Sequence, residues 1–306
     1  MAICPKVSVV IPVYGKFDLS RALTTVRSVL TQKGVDYEVI VSEQGEEPRF
    51  PTMNGVRTIF KYHRPQEDLS DFNPGNVRNR AIALAKGEFI YTNDADVVFL
   101  EPDYLTRAIK VAERTPTTAL YRPFMRRLPQ GQYEEFERRI TSQGIEEAIA
   151  SLDKSQDYVA TVDCKPIKLR VFEKESVYPK TFTAFEEDFQ AYIKDPANQG
   201  REPIFWNENR HCGANLFRRE DFLEVGGYSE EFVNWGCEDS DLQWKLSEAY
   251  NLEFFPANLE VLHLDHSKCY FSSEMWKRNE AISERRVKEG LAKAIEIDRE
   301  SKVWQR

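Results

Sequence analysis

Short apolar runs alternate with segments of helical spacing through the first hundred residues of the chain. Leu23, Val26 and Leu30 recur at the three- to four-residue spacing of one helix face. The pattern predicts strands at 7–11, 38–41, 56–62 and 88–91, and helices at 21–30 and 77–85. Strands joined by helices of about ten residues form parallel β-α-β units, whose ligands bind at the carboxyl ends of the strands. We therefore predict an α/β fold with a nucleotide-binding first half.

The pattern weakens in the middle of the chain and resumes near residue 213. Between 129 and 201, charged and aromatic residues alternate without a sustained period, and prolines stand at positions 166, 179, 196 and 203. An irregular inserted segment is expected there. The later pattern predicts strands at 213–217, 252–255 and 260–264, helices at 219–225 and 239–248, and a charged surface helix at 274–297.

Composition narrows the class of protein. With 306 residues, 41% of them hydrophobic, the chain can bury a large core, which excludes a peptide hormone, a disulfide knot and a disordered tail. The 42 Lys and Arg against 50 Asp and Glu give a net charge of −8, which repels phosphate backbones. Nucleic acid is therefore not expected as a partner. A phosphate-bearing small molecule would need a divalent cation or local basic residues.

The cysteines and the apolar runs bear on the compartment. The five cysteines include no CxxC pair, which favours a reducing, cytoplasmic location. The apolar run at 7–13 is interrupted by proline and followed by no cleavage site, so it reads as a buried strand rather than a signal peptide. The sequence contains no run of 18 apolar residues, so no membrane-spanning helix is predicted. Peripheral contact with a membrane is left open.

The first polar cluster, Asn93-Asp94-Ala95-Asp96, follows the strand predicted at 88–91. Side chains alternate across a strand, so Asp94 and Asp96 share a side and can meet one hard cation. The alternative is an Asx turn that ends the strand. Upstream, Arg78 lies near a predicted helix start that could hold a diphosphate or a base, although a capped helix with surface arginines has the same pattern.

The second polar cluster reads Asn234-Trp235-Gly236-Cys237-Glu238-Asp239-Ser240-Asp241. A turn at Gly236 can present the aromatic face of Trp235. Placing three carboxylates close together costs electrostatic free energy, so such a cluster favours a role in binding a cation or a polar ligand, or as a general base. The alternative is a helix N-terminus, where the macrodipole favours acidic residues.

The third cluster, His263-Leu264-Asp265-His266, ends the last predicted strand. Imidazole is a good ligand for manganese or zinc, and histidines at this spacing can converge on one ion where the chain turns. Two histidines with a purely structural role are the alternative.

Taken together, four segments in this order resemble the family 2 glycosyltransferases of the GT-A fold. They are Val7 to Tyr14, Val77-Arg78-Asn79, the Asn93 to Asp96 cluster, and Cys212 to Phe217 running on to Asp239. The chain is most similar to the branch of β-1,4-galactosyltransferases and bacterial chondroitin-type polymerases, over about residues 5–125 and 205–270. The resemblance implies a Rossmann-like nucleotide-binding fold with a mixed, mainly parallel central sheet and an inserted acceptor-side segment.

The resemblance also implies a division of one GT-A domain, residues 1–306. Residues 1–125 would form the nucleotide-sugar-binding half and residues 205–270 the acceptor and catalytic half. Residues 126–204 would be the irregular insertion, and 271–306 a C-terminal helix.

On the nucleotide side, the resemblance implies that Pro12, Val13 and Tyr14 line the pocket and that Arg78 lies near the base or the phosphates. Many family members have an Asp-Asp-Gly-Ser run after the second strand, where this chain has Ser42-Glu43-Gln44-Gly45. Glu43 is therefore expected to contact uracil or ribose instead.

At the metal, the resemblance implies that Asp96 is a ligand and that Asp94 lies nearer the ribose or a metal-bound water. His263 or His266 would complete the site, and the sequence does not decide between them. The expected ion is Mn²⁺ or Mg²⁺.

On the acceptor side, the resemblance implies that Asp239 is the general base and that Glu238 binds a sugar hydroxyl. Trp235 and Gly236 would form a platform for the acceptor, a carbohydrate or glycoconjugate. The expected reaction is inverting transfer of a sugar from a nucleoside-diphosphate sugar, with UDP as the expected nucleotide, to an acceptor hydroxyl.

Two other functions were weighed. A sugar-1-phosphate nucleotidyltransferase typically has a glycine-rich basic loop after its first strand, whereas residues 12–16 contain one glycine. A catalytically inactive carbohydrate-binding protein of the same fold would not need the acidic pairs Asp94 with Asp96 and Glu238 with Asp239. Both observations favour the transferase.

Overall fold

The computed structural model describes residues 4–15, 17–62, 72–114, 118–128, 130–152, 159–162, 165–168, 211–256, 258–266 and 272–301. Its strands are β1 Val7–Tyr14, β2 Tyr37–Gly45, β3 Val56–Tyr62, β4 Phe89–Thr92, β5 Val97–Phe99, β6 Thr118–Tyr121, β7 Phe124–Leu128, β8 Val159–Val162, β9 Lys165–Lys168, β10 Asn215–Arg218, β11 Asn251–Phe254 and β12 Glu260–Leu264. Its helices are α1 Leu19–Leu30, α2 Pro74–Leu84, α3 Tyr104–Ala112, α4 Gln130–Gln143, α5 Ile145–Ala150, α6 Arg219–Glu224, α7 Glu238–Ala249, α8 Ser273–Glu289 and α9 Leu291–Glu300.

The central sheet has seven strands in the order β11-β6-β10-β4-β1-β2-β3. Neighbouring strands are parallel, except that β10 runs antiparallel to both β4 and β6. The predicted mixed, mainly parallel α/β sheet is confirmed.

The first strand lies inside this sheet and is buried along its whole length. Val7, Val9 and Ile11 join the core on the face covered by α1 and α3. Val10 joins the core on the other face, together with residues of α2, α6 and α7. A strand buried on both faces reads as a continuous apolar run, which explains why the sequence begins with one.

A second sheet of three strands, in the order β5-β12-β7, joins a late part of the chain to an early one. β12 pairs with β5 in antiparallel and with β7 in parallel register. The N–H of Leu264 donates to the carbonyl oxygen of Asp96 at 2.8 Å. This pairing brings the segment after β12 beside the loop between β4 and β5.

The segment predicted to be irregular contains two helices, so that prediction is wrong for α4 and α5. Tyr133, Phe136 and Ile140 recur at helical spacing and form a third apolar core with residues of β5, β7 and β12. Charged residues between them hid this spacing in the sequence. β8 and β9 form an antiparallel pair. The prolines at 179, 196 and 203, with most of the predicted insertion, lie outside the described residues.

The single C-terminal helix predicted at 274–297 is two helices, α8 and α9, which meet at Gly290. Gly290 has φ 102° and ψ 133°, a backbone conformation that residues other than glycine rarely adopt. The break turns Asp298 of α9 inward, where its buried carboxylate bonds to Arg286 of α8 and Lys245 of α7. Both C-terminal helices are thereby tied to α7.

No helix among the described residues is both long and apolar enough to cross a membrane.

Gly290→Ala should lower the free energy of unfolding by about 1–3 kcal/mol, because a Cβ is strained in this backbone conformation. Gly131→Ala is the matched control, since Gly131 lies in α4 and a Cβ there meets nothing within 4 Å. We expect it to stabilise the protein by up to about 1 kcal/mol. Urea unfolding measures the free energy of unfolding of both variants. Equal changes in this free energy would contradict the assigned helix break at Gly290.

Candidate active site

The guanidinium of Arg78 lies between acidic groups from the two halves of the chain. Asn73 caps α2 by accepting from the N–H of Asn76, and Arg78 follows in the next turn. One side of the guanidinium pairs with Asp94 after β4. Its other side lies 3.3 Å from Glu238 Oε1 and 3.8 Å from Asp239 Oδ1 at the start of α7.

Arg78 is 2% exposed, so water provides almost none of its solvation. Burial alone would lower the pKa of Arg78, but the surrounding carboxylates hold it well above its ordinary value. Arg78 is thus a permanent cation that needs these carboxylates. The structure brings the first and second polar clusters together through it.

Asp239 has the most unusual environment of these carboxylates. Burial, together with the neighbouring Glu238 and Asp94, raises the pKa of Asp239 to about 8, although Arg78 acts to lower it. The hydroxyl of Tyr228 donates to Asp239 Oδ1 at 3.3 Å. A carboxyl with a pKa near neutrality can both accept and release a proton, as a general base requires.

The pKa of Asp94 is shifted in the opposite direction from that of Asp239. Burial favours its neutral form, but Arg78 and His211 together hold the pKa of Asp94 well below its usual range. His211 Nε2 lies 3.1 Å from Asp94 Oδ2. A Cβ on Gly213 would lie 2.4 Å from the same oxygen, so only a glycine leaves room for this carboxylate.

Asp96, His263 and His266 form a candidate metal centre, in which one ligand atom from each residue lies within 4.8 Å of the others. His266 Nε2 lies 2.8 Å and His263 Nε2 3.4 Å from Asp96 Oδ2. The buried Oδ1 of Asp96 has no hydrogen-bond partner among the described residues. Imidazole and carboxylate both bind first-row divalent ions, so these residues can hold Mn²⁺, one of the two ions that the sequence predicted. Both histidines reach the site, where the sequence left a choice between them.

A second layer of polar contacts orients His263. Its Nδ1 lies 2.8 Å from Asp265 Oδ1, which also accepts from Arg127 Nε at 2.8 Å. Arg21 of α1 donates to the backbone carbonyl of Asp265 at 3.0 Å. A proton held on Nδ1 leaves the lone pair of Nε2 directed towards Asp96, as metal-binding histidines require.

The predicted nucleotide residues lie at the carboxyl end of β1, where ligands bind in this class of sheet. Pro12 is buried, and Val13 is 2% exposed and belongs to the apolar core. The ring of Tyr14 stacks on Phe72 with centroids 4.9 Å apart.

The carboxylate of Glu43, near the end of β2, bonds to the loop that follows this strand. It is 1% exposed, and its carboxylate accepts from the N–H groups of Arg49 and Phe50 at 3.0 Å. These bonds organise the loop after β2. A carboxylate has about four acceptor positions, so the contact of Glu43 with uracil or ribose stays a prediction.

Trp235 and Gly236 lie in the loop that enters α7. Trp235 is 45% exposed, and its ring centroid lies 5.2 Å from that of Trp276 on α8. Gly236 has φ 108°.

Sequence reasoning missed several residues that the fold adds to the site. His211 stands outside every recognised motif, but its ring lies 6.0 Å from that of His263. Three of the four histidines in the chain therefore gather here, and that scarcity was the available signal. Trp276 carried no sequence signal, because its contact depends on how α8 packs against the loop before α7. Tyr228 belongs to a segment that carried the resemblance, but the sequence assigned it no role.

The contacts described above form a connected series. Asp239 contacts Arg78, which pairs with Asp94. Asp94 contacts His211, whose ring faces the histidine pair beside Asp96. Acidic residues separated by more than 140 positions thus belong to one site.

Comparisons with known proteins agree with this architecture. The sequence profile described as glycosyl transferase family 2 matches residues 8–176, and one described as the N-terminal domain of galactosyltransferase matches residues 201–267. An uncharacterized protein of Sinorhizobium fredii, y4gI, is 30% identical over 114 residues. That match covers 36% of this chain and 12% of the relative, so the chain spans a small part of the relative's length.

Among solved structures, the chain is similar to the mannosyltransferase PcManGT from Pyrobaculum calidifontis, determined in complex with GDP-Man and Mn²⁺. The TM-score is 0.47 at 15% identity, and the match covers 92% of this chain and 62% of the other.

The family 2 profile spans more than half of the chain and includes strands β2 to β9 and the Asn93 to Asp96 cluster. The chain belongs to glycosyltransferase family 2.

Proposed function

We propose that the protein is a metal-dependent, inverting glycosyltransferase that moves a sugar from a nucleoside-diphosphate sugar, with UDP as nucleotide, to a hydroxyl of a carbohydrate acceptor. The observation that carries this proposal is the Arg78 bridge. It joins Asp94, next to the candidate metal ligand Asp96, to Asp239 at the start of α7.

On the donor side, Asp96, His263 and His266 would hold Mn²⁺ or Mg²⁺. When bound, this ion would neutralise negative charge that develops on the departing diphosphate. Asp265, which also accepts from Arg127, can accept a proton from His263 Nδ1, and Nε2 would then be the atom that binds the metal. The low pKa of Asp94 keeps it charged, so it can accept a hydrogen bond from ribose or from water.

On the acceptor side, Asp239 would take the proton of the attacking hydroxyl. The hydroxyl oxygen forms a bond to the anomeric carbon, and the bond from that carbon to the diphosphate breaks with its electron pair leaving on the phosphate. Attack from the face opposite the diphosphate inverts the configuration. Glu238, paired with Arg78, lies beside the base and would bind a hydroxyl of the sugar.

Asp239→Asn should lower kcat by about 10²- to 10⁴-fold while donor binding persists, because the amide cannot take a proton. Asp96→Ala should instead weaken metal-dependent donor binding, because it removes a ligand. Calorimetry with UDP and Mn²⁺, alongside transfer assays over a panel of nucleotide sugars, separates the two effects. Asp103→Asn, with a side chain that is 55% exposed in a surface pair, is the control. Near-normal turnover by Asp239→Asn would remove Asp239 as the base.

A chelator should inactivate the enzyme, and added Mn²⁺ should restore it. Mn²⁺ affinity, followed by electron paramagnetic resonance, should fall by more than about 10-fold in His263→Ala and in His266→Ala, because ligand loss exceeds the typical effect of losing an outer partner. Full activity in excess chelator would exclude a metal from the reaction.

We expect kcat/KM to rise with pH, with a midpoint near pH 8. Burial raises the pKa of Asp239 to about 8, and only the carboxylate form accepts a proton. Below this value Asp239 is protonated and inactive, and above it the rate levels off. Tyr228→Phe should move the rise in kcat/KM to higher pH, because it removes a donor that stabilises the carboxylate.

Tyr250→Phe is the matched control for this profile, since the Tyr250 hydroxyl bonds to Glu224 outside the site. A flat profile from pH 6 to 9 in the wild type, or a downward shift in Tyr228→Phe, would contradict the assignment.

A further inference from the structure

The loop entering α7 is held in an unusual backbone conformation by the C-terminal helix α8. Asn234, Gly236 and Cys237 have φ values of 65°, 108° and 74°, in the region that favours glycine. Such conformations persist where surrounding contacts fix them, and they concentrate at binding sites.

Asn279 of α8 supplies part of that constraint. It is fully buried, and its Nδ2 donates to the carbonyl oxygens of Val233 at 2.9 Å, Gly236 at 3.1 Å and Trp235 at 3.3 Å. One amide group therefore fixes the backbone on both sides of the Trp235 side chain.

Trp276 lies one turn earlier on the same helix and packs directly on Gly236. A Cβ at Gly236 would lie 2.3 Å from Cζ3 of Trp276, so the absence of a side chain at 236 makes room for this ring. The two indoles lie at 34° to each other with centroids 5.2 Å apart. They form a pair, Trp235 with Trp276, whose position is set before any ligand arrives.

The pair lies close to the proposed base. Trp235 precedes Asp239 by four residues, which keeps their Cα atoms within about 14 Å even in a fully extended chain. Trp235 is 45% exposed and Trp276 is half-buried. Indoles offer large, rigid apolar faces at low entropic cost, and the C–H face of a sugar ring is the complementary surface.

We propose that Trp235 and Trp276 form one extended acceptor surface, so that the acceptor is an oligosaccharide. Its terminal sugar binds at Trp235 and its second sugar at Trp276. This inference rests on the proposed function and adds the class of acceptor and a second subsite on α8.

The test compares matched acceptors that share a terminal sugar. The probes are glucose with cellobiose, galactose with lactose, and N-acetylglucosamine with its β-1,4-linked dimer, each with the donor that the wild type uses. For the accepted terminal sugar, we expect kcat/KM to be about 3- to 10-fold higher for the disaccharide, as one added aromatic contact provides.

Trp276→Leu keeps an apolar group on Gly236 but has no ring. It should reduce the ratio of kcat/KM for the disaccharide to kcat/KM for the monosaccharide to near one. Trp276→Phe should keep part of the ratio, because a smaller ring remains. Asn279→Ala loosens the loop itself, so we expect it to lower turnover of both acceptors and leave the ratio unchanged. Ile297→Ala, an exposed apolar residue on α9, is the surface control.

Three outcomes would overturn the inference. They are a wild-type ratio of one, a ratio that Trp276→Leu leaves intact, and an equal loss by Trp276→Leu on both acceptors, which would mean that Trp276 only supports the loop. Donor hydrolysis without acceptor distinguishes these from failure of the proposed function. Donor hydrolysis with a wild-type disaccharide-to-monosaccharide ratio of one refutes only the second subsite. If neither donor hydrolysis nor transfer is detected, the proposed function and the second subsite are both refuted.

Discussion

A buried arginine that cannot give up its proton holds the two halves of this protein together at one site. The Arg78 guanidinium is 2% exposed, and its carboxylate partners lie 16 and 160 residues away along the chain. Removing one partner of a buried ion pair is strongly destabilising, because it leaves an uncompensated charge. The first turn of α7 and the loop after β4 are therefore constrained to meet at Arg78. The positions of Asp94, Glu238 and Asp239 depend on this meeting, while the pairing of β5 with β12 brings His263 and His266 to Asp96.

The same arginine explains how neighbouring carboxylates can have different roles. Arg78 and His211 act directly on Asp94 and keep its pKa low, whereas burial dominates at Asp239 and raises its pKa. Asp96 faces two histidines instead of the arginine. Environments that push the pKa values of nearby acids apart are how one site provides both a fixed anion and a proton acceptor. The division of roles follows from burial and partners, since the three residues are chemically identical.

The sequence was sufficient for features set by local spacing. The strands around β1, the helix that carries Arg78 and the acidic start of α7 all follow from apolar periodicity and capping residues. α4 was missed because charged residues obscured its apolar spacing, and the break at Gly290 was missed because one glycine in a charged helix has little local effect. The hydrogen bonds of Glu43 could not be predicted, because the N–H groups that donate to its carboxylate belong to a loop whose shape is a tertiary property. His211 and Trp276 reach the site only through packing between distant elements.

In the proposed complex a metal centre and a general base flank one sugar, with Arg78 between the elements that carry them. A crystal structure with Mn²⁺ and a non-hydrolysable UDP-sugar that the enzyme accepts as donor tests this most directly. We expect Mn²⁺ bound by Asp96, His263 and His266, and the Asp239 carboxylate facing the anomeric carbon from the side opposite the diphosphate. Mn²⁺ bound by other residues, or Asp239 directed away from the sugar, would contradict it.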